Sequence, residues 1–347
     1  MNMEILFNLK NSKSDPLNKF IEDKNYLLDL KTNDIIEVLN EISKYWLSNN
    51  CNVQNLFIQY EMGFLIGWLK KNNQEKLLKI NFKNFLALDN PLDSFTEKII
   101  YYARPRGIAL HWLAGNVPVL GIISVFQTIL TKNKSIVKVP QSFKKILPII
   151  LKDLENNKYF KKNIQKKIDI ILRSIIVIYV NKNQIQSIEK LSKIADIRIP
   201  WGGAESIYNI LKLPKKINCK DIVFGPKVSI GLVKKELLQN KKDLKKLSKL
   251  ICDDIIPFNQ MGCNSPHNLI IESGSRFKLK EIAEAIDREF NLRNINSNFI
   301  NDPLISFNIV SKKLLYQIND KKKVISSDTK NWNIFINNSD VIEIEKP

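Results

Sequence analysis

The sequence predicts an α/β fold in which a parallel, Rossmann-type sheet follows a helical N-terminal segment, and three observations carry that prediction. Residues 15–85 repeat apolar side chains every three to four positions. From about residue 95 onward, short Ile- and Val-rich runs alternate with helical stretches, the pattern of a sheet covered on both faces. The 347 residues, 44% hydrophobic and 26% charged, suit about two domains of roughly 150 residues each.

The elements follow in order. The start, MNMEILFNLKNSKSD, lacks a basic end leading into an apolar block and small-residue cleavage site, so no secretion signal is expected. KTNDIIEVLNEISKYWL and NLFIQYEMGFLIGWLKK read as amphipathic helices with Asn and Asp near their starts. Strands are expected at 108–114, 135–140, 174–180, 195–200, 221–226 and in NLIIE. Helices are expected at 118–131, 143–155, 183–193, 203–211 and 235–252. The expected organisation is a helical segment over 1–95, a nucleotide-binding domain over 96–228 and a catalytic domain over 229–347. No run approaches the roughly 20 apolar residues of a spanning helix, so a cytoplasmic chain without membrane insertion is expected.

The net charge of +19 raises a nucleic-acid reading, since lysine clusters release counterions from phosphate backbones. Arginine occurs only at 104, 106, 173, 198, 276, 288 and 293, and bidentate phosphate recognition favours arginine. A solvated lysine surface is the simpler expectation, including the segment KKELLQNKKDLKKLSKL. Cys51, Cys219, Cys252 and Cys263 form no CxxC pair and no zinc-ligand spacing. With His111 and His267 as the only histidines, a multi-histidine metal site has almost no raw material.

In a parallel sheet the ligand lies beyond the carboxyl ends of the strands, which directs the search for chemistry to four turns. HWLAGNVPVLG places Asn116 at a strand-to-helix corner, where it either caps the helix or faces a ligand. SIVKVPQS carries Lys138 inside an apolar strand, where its ammonium must reach water or an anion. PWGGAES sets Gly202 and Gly203 before a helix, allowing close approach of a phosphate or ring; no GxGxxG occurs. In DDIIPFNQMGCNSPHNLIIE, Cys263 sits among small and polar residues, where a sulfur has little cover and a thiolate is a nucleophile. His267 is read as structural, because Pro266 interrupts any helix that would align it with Cys263. His111 belongs to the sheet or the site wall.

Taken in order, HWLAGNVP, IVKVPQS, PWGG, FGPK and FNQMGC resemble the acyl-CoA reductase family found in bacterial luminescence operons, a branch of the aldehyde dehydrogenase superfamily. The similarity is strongest over about 100–275. It implies an aldehyde-dehydrogenase-like fold with a Rossmann-type cofactor domain and a second α/β catalytic domain. It further implies Cys263 as nucleophile, and Asn116 with the Cys263 backbone N–H as oxyanion hole. Lys138 is implied on the adenosine side of the cofactor, Gly202 and Gly203 beside the nicotinamide, and Gly225 and Lys227 lining the site.

Two departures shape the expected activity. Hydrolysing superfamily members place a glutamate two positions before the glycine in the segment matching FGPK, and here that position is Val223. Without that base a thioacyl-enzyme has no efficient route to hydrolysis, so the expected reaction is reduction of an acyl-CoA or acyl-protein thioester to an aldehyde. An acyl-phosphate reductase, a non-catalytic subunit or a decayed family member remain alternatives. Gln141 and Ser142 stand where NAD-using relatives commonly have a glutamate, so NADPH is expected over NADH, with Gln141 near the ribose. The family pattern continues beyond this C-terminus, so a shortened catalytic half, or one completed by a partner chain, is expected. An acyltransferase or synthetase partner and a homo-oligomer are further expectations; nucleic acid is not an expected partner.

Overall fold

The computed structural model describes residues 3–9, 15–93, 99–115, 117–260, 262–293, 303–318, 323–327 and 331–338. It comprises two compact units, 1–226 and 227–347.

The first unit begins with β1 (Glu4–Phe7) and the helices α1 (Pro16–Glu22), α2 (Thr32–Leu47), α3 (Gln54–Gln59), α4 (Gly63–Trp68) and α5 (Lys71–Asn81). A short hairpin of β2 (Leu92–Asp93) and β3 (Ile100–Tyr101) follows. Then come β4 (Ile108–Trp112), α6 (Pro118–Leu130), β5 (Lys134–Lys138), α7 (Ile146–Asp153), α8 (Lys162–Arg173), β6 (Ile175–Tyr179), α9 (Ile185–Ile194), β7 (Ile197–Pro200), α10 (Ala204–Leu211) and β8 (Lys220–Asp221). The sheet order is β1-β6-β5-β4-β7-β8, parallel from β6 to β8 with β1 antiparallel on the edge. Chain order runs outward from β4 to β6 and then crosses to β7. That reversal makes β4 and β7 the topological switch point, with a crevice beyond their carboxyl ends.

Every residue of β4 and β7 is buried, which explains their unbroken apolar character: both faces of the sheet are covered. Gly121 lets α6 lie close to the chain after β4, since a Cβ there would stand 2.7 Å from a Leu113 methyl. Polar groups inside the unit are paired. Arg198, fully buried on β7, donates to both Asp221 oxygens (2.6 and 2.9 Å), to Ser192 Oγ and to the carbonyls of Ile210 and Leu213 near the end of α10. Lys132 and Asp89 form a buried ion pair at 2.6 Å, and Asp89 also accepts from Thr32 N and Oγ1 at 2.9 Å. One carboxylate thereby ties α2, at its first turn, to the end of α6.

Three sequence expectations need correction here. The strand expected over 221–226 is only Lys220–Asp221 plus an isolated bridge from Trp201 to Phe224. Residues 162–173, which carried no assignment, form α8 with Ile164, Ile168, Ile171 and Leu172 buried on one face. Residues 4–7, read only for a leader, pair with β6.

The second unit contains β9 (Ser229–Val233), α11 (Lys241–Ile255), β10 (Pro266–Ile271), α12 (Leu279–Leu292), α13 (Pro303–Ile318), β11 (Lys323–Ser326) and β12 (Asn333–Ile336). Strands β9 and β10 are parallel, and β11 and β12 antiparallel. The core gathers Leu244, Ile251 and Cys252 of α11 with Ile282, Ile286 and Phe290 of α12. Helix α11 starts at Lys241 rather than 235, because Asn240 Oδ1 caps it by accepting from Lys242 N and Asp243 N at 2.9 and 3.0 Å. Among the described residues no helix is long and apolar enough to cross a membrane, and no cluster of three or more His, Cys, Asp or Glu is placed to hold a metal ion.

Candidate active site

Beyond the carboxyl ends of β4, β5 and β7 the first unit gathers most of the positions singled out by sequence. Leu113 N donates to Lys138 O at 3.1 Å, continuing the β4–β5 ladder. Ser142 Oγ then donates to Gly115 O at 3.3 Å, holding the two strand exits together. Gln141 and Ser142 are exposed on a 3-10 turn anchored by buried Phe143. Asn116 lies outside the described residues. The N-cap of α6 is Val117, which offers no side-chain acceptor, so the first-turn N–H groups of α6 have no side-chain cap there.

Lys138 is half-buried at the end of β5 and has no hydrogen bond or ion pair among the described residues. Burial pushes its ammonium below the usual lysine range. At the end of β7, Trp201 and Phe224 stack face to face, 3.9 Å apart and 4° from parallel. Gly202 N donates to Phe224 O at 3.3 Å. Gly203 is the N-cap of α10 without a side-chain cap, and a Cβ there would meet nothing within 4 Å. Gly225 packs beside Ile207 of α10. Among the described residues these strand ends thus carry two helix starts without side-chain caps, a lysine without an ion pair and a stacked aromatic pair.

His111 belongs to the sheet. Its ring nitrogens lie 3.0 Å from Ser124 Oγ and 3.3 Å from Thr128 Oγ1, it is fully buried, and desolvation pushes its pKa down to about 3. It is neutral at ordinary pH and is not an acid–base group.

The second unit carries Cys263. Between α11 and β10 the chain makes a 3-10 turn, Pro257–Gln260, in which Phe258 (φ 55°) and Gln260 (φ 63°) adopt left-handed backbone. That conformation is uncommon for non-glycine residues, and such strain concentrates at functional sites. Ser265 N donates to Gly262 O at 3.0 Å, so Cys263 and Asn264 occupy the two central positions of a tight turn. A Cβ at Gly262 would stand 2.9 Å from Asn264 Oδ1, so a larger residue there would move the Asn264 side chain. Ser229 Oγ donates to Cys263 O at 2.7 Å, and Gln260 Nε2 to Pro266 O at 2.8 Å. The Cys263 N–H makes no hydrogen bond among the described residues. Cys263 is exposed, whereas Cys51, Cys219 and Cys252 are buried. Among the described residues the turn therefore presents one sulfur together with a backbone donor that has no partner.

The structure thus groups Gly115, Lys138, Gln141, Gly202, Gly203 and Gly225 in the first unit and places Cys263 in the other. His267 lies on β10, outside the turn that carries Cys263. Val223 and Lys227 are both exposed. Sequence reasoning missed Ser229, whose partner is 34 positions away, and the Trp201–Phe224 stack; neither has a local signal.

Comparisons with known proteins identify the family and the fold. The family model described as acyl-CoA reductase (LuxC) matches residues 27–347. A long-chain acyl-protein thioester reductase from Aliivibrio fischeri is 25% identical, with 89% of this chain and 64% of that protein aligned. Its Vibrio harveyi counterpart is 27% identical, with 95% and 70% aligned. The chain spans about two thirds of the length of these curated relatives. Among solved structures, a succinic semialdehyde dehydrogenase from Streptococcus pyogenes superposes with a TM-score of 0.60 at 12% identity, covering 93% of this chain and 71% of that one. A benzaldehyde dehydrogenase from Corynebacterium glutamicum gives 0.57 at 10% identity, covering 94% and 73%. At such low identity these structures speak for the fold, which is aldehyde-dehydrogenase-like. With the family model spanning nearly its whole length, this chain belongs to the acyl-CoA reductase (LuxC) family.

Proposed function

We propose that this chain reduces an acyl thioester to an aldehyde at the expense of NADPH, through a thioacyl intermediate on Cys263. The observation that carries the proposal is the contrast among the cysteines: Cys263 alone is exposed, in a pinned turn whose backbone N–H at 263 has no partner among the described residues. The names of the curated relatives, long-chain acyl-protein thioester reductases, support a long-chain acyl thioester as donor.

The Cys263 thiolate attacks the thioester carbonyl carbon, a new C–S bond forms, and the carrier thiolate leaves and takes a proton from water. The Cys263 N–H, with Asn116, holds the oxyanion of the tetrahedral state. Val223 supplies no base to activate water, so the acyl group stays on sulfur. A reduced nicotinamide, when bound, supplies the hydride that this acyl carbon requires. Cys263 then leaves as thiolate and the aldehyde is released.

The strand ends of the first unit suit such a cofactor. Lys138, which has no carboxylate partner among the described residues, would serve the adenosine side, and the open space at Gly203 would admit a phosphate to the start of α10. The exposed Gln141 and Ser142 are neutral hydrogen-bonding groups that do not repel a 2′-phosphate, which favours NADPH over NADH.

Mass spectrometry of the intact protein after a long-chain acyl-CoA, with and without NADPH, tests the reading. The expected result is one acyl adduct on Cys263 that disappears with NADPH as aldehyde forms, and forms less product with NADH. An adduct obtained only from acyl phosphate would replace this reading by an acyl-phosphate reductase. No adduct on Cys263 from either donor rejects it.

A further inference from the structure

We propose that the solvent face of α11 is a docking surface for an acidic protein that carries the acyl thioester; this rests on the reaction proposed for Cys263 and adds the means of delivery. Lys241, Lys242, Lys245, Lys246 and Lys249 are all exposed, and none forms an ion pair among the described residues. They repeat at four-residue spacing, 241–245–249 and 242–246, so like charges stand directly above one another, an arrangement that weakens a helix. Single like-charge pairs at this spacing also occur, Glu37 and Glu41 in α2 and Lys162 and Lys166 in α8, but other helices set opposite charges there. In α5 Lys71 faces Glu75, and in α12 of the same unit Lys280 faces Glu284. The carboxylates of α11 form no ion pair with these lysines among the described residues: Asp243 accepts from Asn240 at 2.6 Å, Asp253 pairs with Arg293 at 2.7 Å, and Asp254 makes no ion pair.

Position gives the patch its meaning. The lysine ladder spans about 12 Å of helix, and α11 runs directly into the turn that presents Cys263. The ladder stops about 9 Å of helix before Ile255, so a partner steered to these charges is held on the element that leads to the nucleophile. A membrane surface fits poorly, because the apolar face of α11, with Leu244, Ile251 and Cys252, is already buried in the core of its own unit and has nothing to insert. Nucleic acid fits poorly because no arginine fork accompanies the lysines between 234 and 250. A carboxylate-rich protein surface matches a ladder of point charges.

The test compares one acyl chain on two donors, an acidic acyl carrier protein and uncharged N-acetylcysteamine. The variants are the triple substitutions Lys241→Gln, Lys245→Gln, Lys249→Gln and the corresponding three changes to Glu. For the carrier donor at low salt, kcat/KM is expected to fall about tenfold or more, because steering multiplies encounter rates by such factors. The N-acetylcysteamine donor should change by less than about twofold, and added NaCl should erase the wild-type advantage. Binding of labelled carrier protein, measured by fluorescence anisotropy, gives a readout independent of turnover. Equal losses on both donors, or carrier binding unchanged by the substitutions, overturns the proposal. Lysine-dependent binding of duplex DNA or anionic vesicles, with carrier binding unaffected, also overturns it. If carrier binding depends on the lysines but neither donor yields aldehyde, the docking surface stands and the reaction assigned to Cys263 falls.

Discussion

Cys252 and Cys263 stand on either side of the turn that ends α11. Cys252 faces the core, with its sulfur 3.9 Å from Ile286 O, and burial pushes its thiol up to about 11. Cys263 stands outside, in a turn that side-chain and main-chain hydrogen bonds hold in place. The first unit repeats the contrast with cations. Arg198 and Lys138 both sit on sheet strands, yet Arg198 is fully buried and paired with Asp221, while Lys138 has no partner among the described residues. In each pair the satisfied member stabilises the fold and the unsatisfied member is available to a ligand.

The largest test of this contrast exchanges the two cysteines' fates. Cys263→Ala is expected to abolish acyl-enzyme and aldehyde while leaving the urea midpoint nearly unchanged, since an exposed turn side chain contributes within about 0.5 kcal/mol. Cys252→Ala should retain the adduct but lose about 1–2 kcal/mol of stability through the small cavity it leaves. Adduct formation in the first variant, or its loss in a folded second variant, breaks the comparison.

Next in size is the pair of cations. Arg198→Met leaves Asp221 paired with Lys215 alone and strands the carbonyls near the end of α10, and should cost about 3 kcal/mol in chemical denaturation. Lys138→Met removes an unpaired ammonium, so stability should hold or rise while nucleotide affinity, measured by calorimetry, falls. Asn116→Ala should lower kcat about 100-fold, or about 3 kcal/mol, with little change in nucleotide affinity; single-turnover rates separate the two.

The smallest effect is titration of His111. Burial holds its folded pKa down at about 3, below the ordinary histidine value of about 6.5, so as pH falls the unfolded chain takes up the proton first. The stabilisation is fully present above pH 6.5 and is lost progressively as pH falls towards 3, with a slope of at most about 1.4 kcal/mol per pH unit. Urea midpoints of the protein and of His111→Gln, compared between pH 7 and 5, should converge as pH falls. A constant gap would mean that the histidine takes up no proton differently in the two states.

The positions of α6, α9 and α10, and of β4 to β7, were legible because each element carries its own period and its own stop signal. Pro118 and Gly115 punctuate β4 and α6, and Gly203 marks the start of α10. The first turn of α11 was misplaced because a lysine-rich run has no periodic edge, and only the Asn240 cap sets where it begins. The strand expected at 221–226 failed because Ile- and Val-rich composition reports a buried surface, whereas Ile222 and Val223 are exposed.

The amino-acid sequence by itself determined the alternation of strand and helix, the turns at which ligands are met, and the cysteine to suspect, because backbone preference and hydrophobic period act within a few residues. Only the tertiary structure decided that Arg198 meets Asp221 while Lys138 meets no carboxylate among the described residues, and that Ser229 grips the Cys263 carbonyl. Those contacts join residues far apart in the chain, and strand register and helix packing choose the partners where no local pattern can.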